Sequence, residues 1–178
     1  MAAGWAVGAA GWVRNERIFD HVLAPVTSAI LAAADIGLDA RVLDVGCGTG
    51  TLLAAAAAAG ADVVGVDISA PMVDAARARV PAATVVVADA QTADLSRLVP
   101  DAGFDRVVSR FGVMFFADPV AAFANVRSVA APGARLTFAC WREGESDMFT
   151  IGNEVFLEHL AEPPRVAQPG APGPMGLA

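Results

Sequence analysis

Short runs of apolar, largely β-branched residues recur along this chain, separated by stretches with helical spacing. Val42–Val45, Val63–Ile68, Thr84–Ala90 and Phe104–Ser109 each read as a buried strand, and the first three carry or end in an acid. Ala131-Pro132-Gly133 is a turn feeding a fifth strand, Ala134–Trp141. Between the strands the pattern predicts helices at about 50–60, 70–79, 92–99 and 119–131. Ser69 ahead of Ala70-Pro71 reads as an N-cap with proline in the first turn. Upstream, Ile18, Phe19, Val22, Leu23, Val26, Ile30 and Leu31 keep a helical spacing, and Pro25 is expected to divide them into two short helices. Alternating strands and helices of this length predict an α/β fold: a doubly wound parallel sheet covered on both faces.

The junction after the first strand carries the chemistry. Val42-Leu43-Asp44-Val45-Gly46-Cys47-Gly48-Thr49-Gly50 runs from a strand into a glycine turn, and Thr51-Leu52-Leu53 with an alanine tract continues as a helix. A dinucleotide fingerprint requires glycines at positions one, three and six. The sixth position here is Thr51, which disfavours a nicotinamide dehydrogenase. Asp67 ends the second strand 21 residues after Gly46, near the ~20 expected of an acid that holds a ribose hydroxyl pair.

With its preceding acid, this G-x-G-x-G loop resembles motif I of the class I S-adenosyl-L-methionine (SAM) dependent methyltransferases. The likeness covers roughly residues 12–160 and is nearest to the small-molecule branch that includes ubiquinone and menaquinone biosynthesis methyltransferases. It implies a Rossmann-like sheet with SAM as cofactor. Methionine would lie at Asp44 and the Gly46, Cys47, Gly48, Gly50 loop, ribose at Asp67, and adenine at Ile68, Asp89 and Ala90. Met72 would join the cofactor site, and Ser109 and Arg110 would close its far side. The family's sheet has seven strands; five are visible here, and strands six and seven are apparently missing, so the expectation is a truncated chain. The implied division is a helical lid over residues 1–36, a SAM-binding core over 37–145, and a helix, Asp147–Leu160, with a Pro/Gly-rich tail over 146–178.

Composition narrows the partners. The hydrophobic fraction of 56% owes much to alanine, and the longest apolar run, Leu52–Ala61, is about half a bilayer span. No basic residue precedes Arg14, so the apolar N-terminus makes a poor signal peptide, and a cytoplasmic location is expected. All 12 basic residues are arginine and the net charge is −7, which argues against a nucleic-acid backbone as partner. Cys47 and Cys140 do not suggest a disulfide framework.

Methyl transfer from SAM needs alignment of the acceptor, and a base only where the acceptor must lose a proton. Catalytic candidates are His21, on the N-terminal helices, and Arg110. For a small, apolar or aromatic acceptor, the substrate candidates are Trp12, Phe111, Met114, Phe115 and Trp141, with Arg14 a further lid residue. Ser109-Arg110-Phe111-Gly112 lacks the Pro-Pro-aromatic motif by which nucleic-acid amino methylases hold a flipped base. No metal is implied. The competing reading is a SAM-binding remnant without turnover. Without a sixth and seventh strand the fifth becomes an apolar edge, from which self-association is expected.

Overall fold

The computed structural model describes residues 2–98, 103–142, 171–173 and 176–177, with side chains from residue 8 onward. Three N-terminal helices, α1 (Ala2–Arg14), α2 (Glu16–Val22) and α3 (Ala24–Ala34), lead into β1 (Arg41–Val45). Then follow α4 (Thr51–Ala58), β2 (Asp62–Asp67), α5 (Ala70–Arg79), β3 (Thr84–Val87), β4 (Phe104–Arg110), α6 (Pro119–Ser128) and β5 (Ala130–Ala139). The strands form one sheet in the order β3-β2-β1-β4-β5, with every pairing parallel. The fold is the expected doubly wound α/β sheet.

Strand residues alternate between the two faces, as the two-residue period requires. Val42, Val63, Val85 and Val108 pack with Ile30, Leu52, Leu53, Val73 and Ala76 on one face. Leu43, Val45, Val64, Val66 and Val107 pack with Leu95, Phe104, Val126 and Val129 on the other. The chain order reverses between β1 and β4, and the crevice beyond the carboxyl ends of these strands is where such sheets take ligands.

Several boundaries differ from the sequence reading. Two short helices do form on either side of a break at Leu23, and Pro25 sits in the first turn of the second, α3, where its missing N–H costs no hydrogen bond. The helix expected at 92–99 is a single 3-10 turn, Leu95–Leu98. Asp89 and Asp94 take the backbone N–H groups of Gln91 and Ser96, and these local side-chain bonds compete with helix formation. Ser69 stands at the N-cap of α5 without a capping bond; its Oγ is buried and has no hydrogen-bond partner among the described residues. The last helix ends at Ser128, and β5 begins as early as Ala130.

The helix expected at Asp147–Leu160 and most of the tail lie outside the described residues. Of the tail, Gly173 donates its N–H to the Met114 carbonyl at 3.1 Å and Leu177 packs against the second core, so this part does not behave as a bare linker. No single described helix is long and apolar enough to cross a membrane. The bent pair α2–α3 is apolar enough, but α3 packs on β4 and β5 with Ile30 and Ala34 buried.

Candidate functional site

A cavity of about 840 Å³ opens over the carboxyl ends of β1, β2 and β4. The β1–α4 loop forms its floor. Gly46 has φ +71, and a Cβ there would meet the Gly112 Cα at 2.8 Å, so both the dihedral and the packing demand glycine. Gly48 has φ +53, but a Cβ there would meet no protein atom within 4 Å. It would project into space that the fold leaves open beside the cavity wall, as close approach of a ligand to the backbone requires.

Asp67 is fixed by the backbone. One carboxylate oxygen accepts the Gly48 N–H at 2.9 Å and the other accepts the Ser69 N–H at 2.9 Å. Burial raises its pKa, opposed by backbone N–H bonds from Ser69, Gly48 and Ile68. The carboxylate has four lone-pair positions and these bonds do not fill them, so capacity remains for a further donor such as a ribose hydroxyl. Asp44 is the opposite case. It is 1% exposed and both its carboxyl oxygens are buried without a hydrogen-bond partner among the described residues. Burial, chiefly, pushes its pKa up to about 8; the Asp67 charge adds to this and the Arg110 charge opposes it. A carboxylate placed there is costly unless a cation meets it. The chain thus offers an orphaned acid for an ammonium group, a diol acceptor and a bare glycine backbone, which fit SAM.

Beyond the loop, Ile68, Met72, Asp89 and Ala90 line the cavity, and Asp89 also closes its own turn through the Gln91 N–H. Cys47 lines it too; burial, with Asp44 and Asp67 nearby, pushes its thiol up, so it is a filler and not a thiolate. Aromatic rings make the opposite wall. Trp12 stacks on Phe19 with centroids 3.8 Å apart, and Phe111 stacks on Trp141 at 4.4 Å and 10°. Phe111 holds φ +64, a left-handed conformation that costs a non-glycine residue of order 1–3 kcal/mol. Its N–H donates to the Ala139 carbonyl at 3.0 Å, which helps hold the bend that turns its ring into the wall. Met114, Phe115 and Phe116 complete that side.

Four expected residues fall elsewhere. His21 is exposed and does not line the cavity: with Arg17, four residues earlier, it lies on the face of α2 turned away. Arg14 is likewise exposed and off the wall. Gly50 is not on the wall; its glycine is set by φ +85 and by α5, where a Cβ would meet the Ala76 Cβ at 3.2 Å. Ser109 is fully buried beneath the site, donating to the Val45 carbonyl at 2.7 Å and accepting the Gly112 N–H at 3.2 Å, so it braces the loop without facing the cavity.

The sequence reading also missed residues. Glu16, Phe19, Asp20 and Thr51 line the cavity. Trp12, Glu16, Phe19, Asp20 and Leu23 fall on one helical stripe, and that spacing was the available signal. Nothing in the sequence pairs Asp20 with residues on α4, α5 and β4, because those contacts span 31 to 90 positions.

A parallel sheet with an acid-flanked glycine loop at its switch point defines a nucleoside-cofactor domain. Comparison with known proteins carries this further: residues 42–133 match the methyltransferase domain family, and the chain belongs to it. Its fold is that of the class I methyltransferase domains. The chain is 38% identical over 133 residues to a demethylmenaquinone methyltransferase of Thermus thermophilus, covering 72% of this chain and 60% of the relative. An uncharacterized protein of Mycobacterium tuberculosis is 34% identical over 140 residues, covering 78% and 49%. Among solved structures, a SAM-dependent methyltransferase from Mesorhizobium loti superimposes with TM-score 0.55 at 30% identity, covering 64% of this chain and 51% of that one. The chain spans about half the length of the curated relatives it matches.

With the ammonium of a cofactor beside Asp44, affinity would depend on pH. Without a cation the folded protein holds this proton up to about pH 8, whereas the unfolded chain releases it near 4. The folded state therefore binds more protons between these values, and this group's contribution to stability falls as pH rises through 8. An ammonium beside Asp44 favours the carboxylate and expels the proton. SAM binding at pH 7 is thus expected to release up to one proton, and affinity to rise by at most tenfold per pH unit from 6 to 7.5. Calorimetry in buffers of different ionisation enthalpy measures the release. Asp44→Asn should remove it; equal release from the variant would place the proton on another group.

Proposed function

We propose that this protein transfers a methyl group from SAM to a small, apolar or aromatic acceptor. The observation that carries the reading is one cavity in which the glycine loop, Asp44, Asp67 and Asp89 face an aromatic wall built by Trp12–Phe19 and Phe111–Trp141. When bound, SAM supplies a methyl group already activated by its positive sulfur. The chain's task is then to align the acceptor and exclude water. Glycine backbone, Asp44 and Asp67 would fix the cofactor, and Phe111, Met114, Phe115, Trp12 and Trp141 would hold a flat acceptor and keep the reacting face dry. Arg110 stays on the cavity wall, although burial lowers its pKa, opposed by the charges of Asp20 and Asp44. It is no proton acceptor; our reading gives it a binding role.

Calorimetry with SAM and S-adenosylhomocysteine, paired with transfer of labelled methyl to a panel of naphthols, quinols and indoles, tests the proposal. Tight binding of both nucleosides with turnover on an aromatic member is expected. Binding without transfer to any member would favour a SAM-binding remnant. The charge of −7 supports a small molecule over a nucleic acid, and the two free cysteines support a cytoplasmic setting.

We also propose that the chain self-associates through β5. Among the described residues β5 is an edge strand, and Leu136 and Phe138 on it are 43% and 40% exposed. Such an edge recruits another strand. Sedimentation should show dimers or larger species at high concentration; a monomer throughout would mean that the edge is protected.

A further inference from the structure

The aromatic side of the cavity has a back as well as a face. Met114 lines the cavity yet is only 3% exposed, and it sits in the middle of a single 3-10 turn, Val113–Phe115. On its inner side this turn is clamped by the end of β1 and by Ser109. A Cβ on Gly112, the residue before the turn, would meet the Val45 carbonyl oxygen at 2.6 Å and the Ser109 Oγ at 2.9 Å. The Gly112 carbonyl accepts the Phe115 N–H at 3.2 Å. A turn this short leaves its later carbonyls without partners inside it. The Met114 carbonyl finds its partner in the tail, where the Gly173 N–H donates to it at 3.1 Å.

Other tail contacts converge on the same carbonyl. The Gly176 N–H donates to the Gly173 carbonyl at 2.9 Å, which folds the tail into a tight turn. A Cβ on Gly176 would collide with the Met114 carbonyl oxygen and would stand 3.1 Å from the Ala171 and Gly173 carbonyl oxygens. Only glycine fits there, because a side chain would enter a ring of three acceptors. Gly173 is buried and holds φ +155, a conformation that side chains rarely adopt. Leu177 then packs against the core cluster that holds Val113, together with Phe116 and Phe123, whose rings meet edge to face at 6.1 Å. Backbone and apolar contacts thus meet on the short segment that carries Met114, Phe115 and Phe116 into the cavity wall.

We infer that Gly173, Gly176 and Leu177 are positioning residues for the methyl acceptor: they brace Val113–Phe115 from behind and fix how far Met114 and Phe115 reach into the cavity. The inference rests on the acceptor reading above and adds the residues that set the size of the acceptor site. The two sides of the cavity then have separate supports. Gly48, Asp67 and Ser69, on the cofactor side, hold one another through hydrogen bonds between the β1–α4 and β2–α5 loops. The acceptor side leans on the tail. Lifting the tail would turn the Met114 carbonyl over to water and strip the turn of the packing that Leu177 supplies. The grip on the acceptor would loosen while the cofactor loops kept their own bonds.

Two variants lift the tail in different ways. Gly176→Val puts a side chain among the three carbonyl oxygens, and Leu177→Asp removes the apolar contact without adding a clash. S-adenosylhomocysteine probes the cofactor side by calorimetry. For the acceptor side, 1-naphthol is titrated into the chain saturated with S-adenosylhomocysteine. Each variant should weaken 1-naphthol binding at least about fivefold and keep S-adenosylhomocysteine affinity within about twofold, which also certifies the fold. The Met114 methyl resonance, in a chain labelled at its methionine methyls and assigned through Met114→Leu, should shift in both variants. An unmoved resonance, or 1-naphthol bound as tightly as by the wild-type chain, would overturn the inference while leaving the acceptor reading intact. Equal weakening of both ligands would mean a merely structural tail and would overturn it too. Failure of the wild-type chain to bind 1-naphthol, with S-adenosylhomocysteine still bound, would overturn the acceptor reading and the inference with it.

Discussion

A Gly48→Val chain is expected to lose SAM binding by more than about a hundredfold while keeping its secondary structure. Two effects act together. Residue 48 holds φ +53, where a side chain costs roughly 1–2 kcal/mol and a β-branched one more. The added isopropyl group would also stand in the open space beside the wall, since among the described residues no atom beyond its own chain neighbours lies within 4 Å of its Cβ. The Gly48 N–H holds an Asp67 oxygen, so any shift of the loop to relieve the strain disturbs the Asp67 carboxylate as well. Gly48→Ala should show the same effect in smaller degree. Far-UV circular dichroism and calorimetry on both variants measure it; wild-type affinity from Gly48→Val would remove the glycine loop from the cofactor site.

Asp67→Ala should weaken SAM binding by about 30- to 1000-fold, the roughly 2–4 kcal/mol of two hydrogen bonds to a charged acceptor. Part of that loss belongs to the loop, because the Gly48 and Ser69 N–H groups lose their acceptor in the variant. Ribose specificity isolates the rest. The wild-type chain should prefer adenosine to 2′-deoxyadenosine, and Asp67→Ala should bind the two alike. A loss below threefold in SAM affinity, with the melting temperature maintained, would place the ribose elsewhere.

Both predictions concern residues legible in the sequence. Gly46, Gly48, Asp44 and Asp67 could be read because a strand, a tight turn and a helix are local, and the turn's dihedrals admit few residue types. The aromatic wall was legible as a set, Trp12, Phe111, Met114, Phe115 and Trp141, but not as two stacked pairs, because Phe111 meets Trp141 only through the pairing of β4 with β5. His21 lies off the cavity wall for a related reason. The sequence places it on a helix above the site, while the side that α2 presents is set by what it packs against, and that side carries Glu16, Phe19 and Asp20.

The apolar period of the strands, the glycine loop and the acids at the strand ends determined the doubly wound sheet and the position of its cofactor crevice. These features follow from chain geometry within a few residues. Tertiary structure alone decided that Gly50 serves helix packing, that Ser109 braces the loop from below, and that Asp44 has no hydrogen-bond partner among the described residues. It alone joined Asp20 to Arg79, Thr51 and Arg110, across 31 to 90 positions of chain. The physical reason is burial. The charge and hydrogen-bonding state of a carboxyl or guanidinium depends on which distant groups exclude water from it, and only the folded chain brings those groups together.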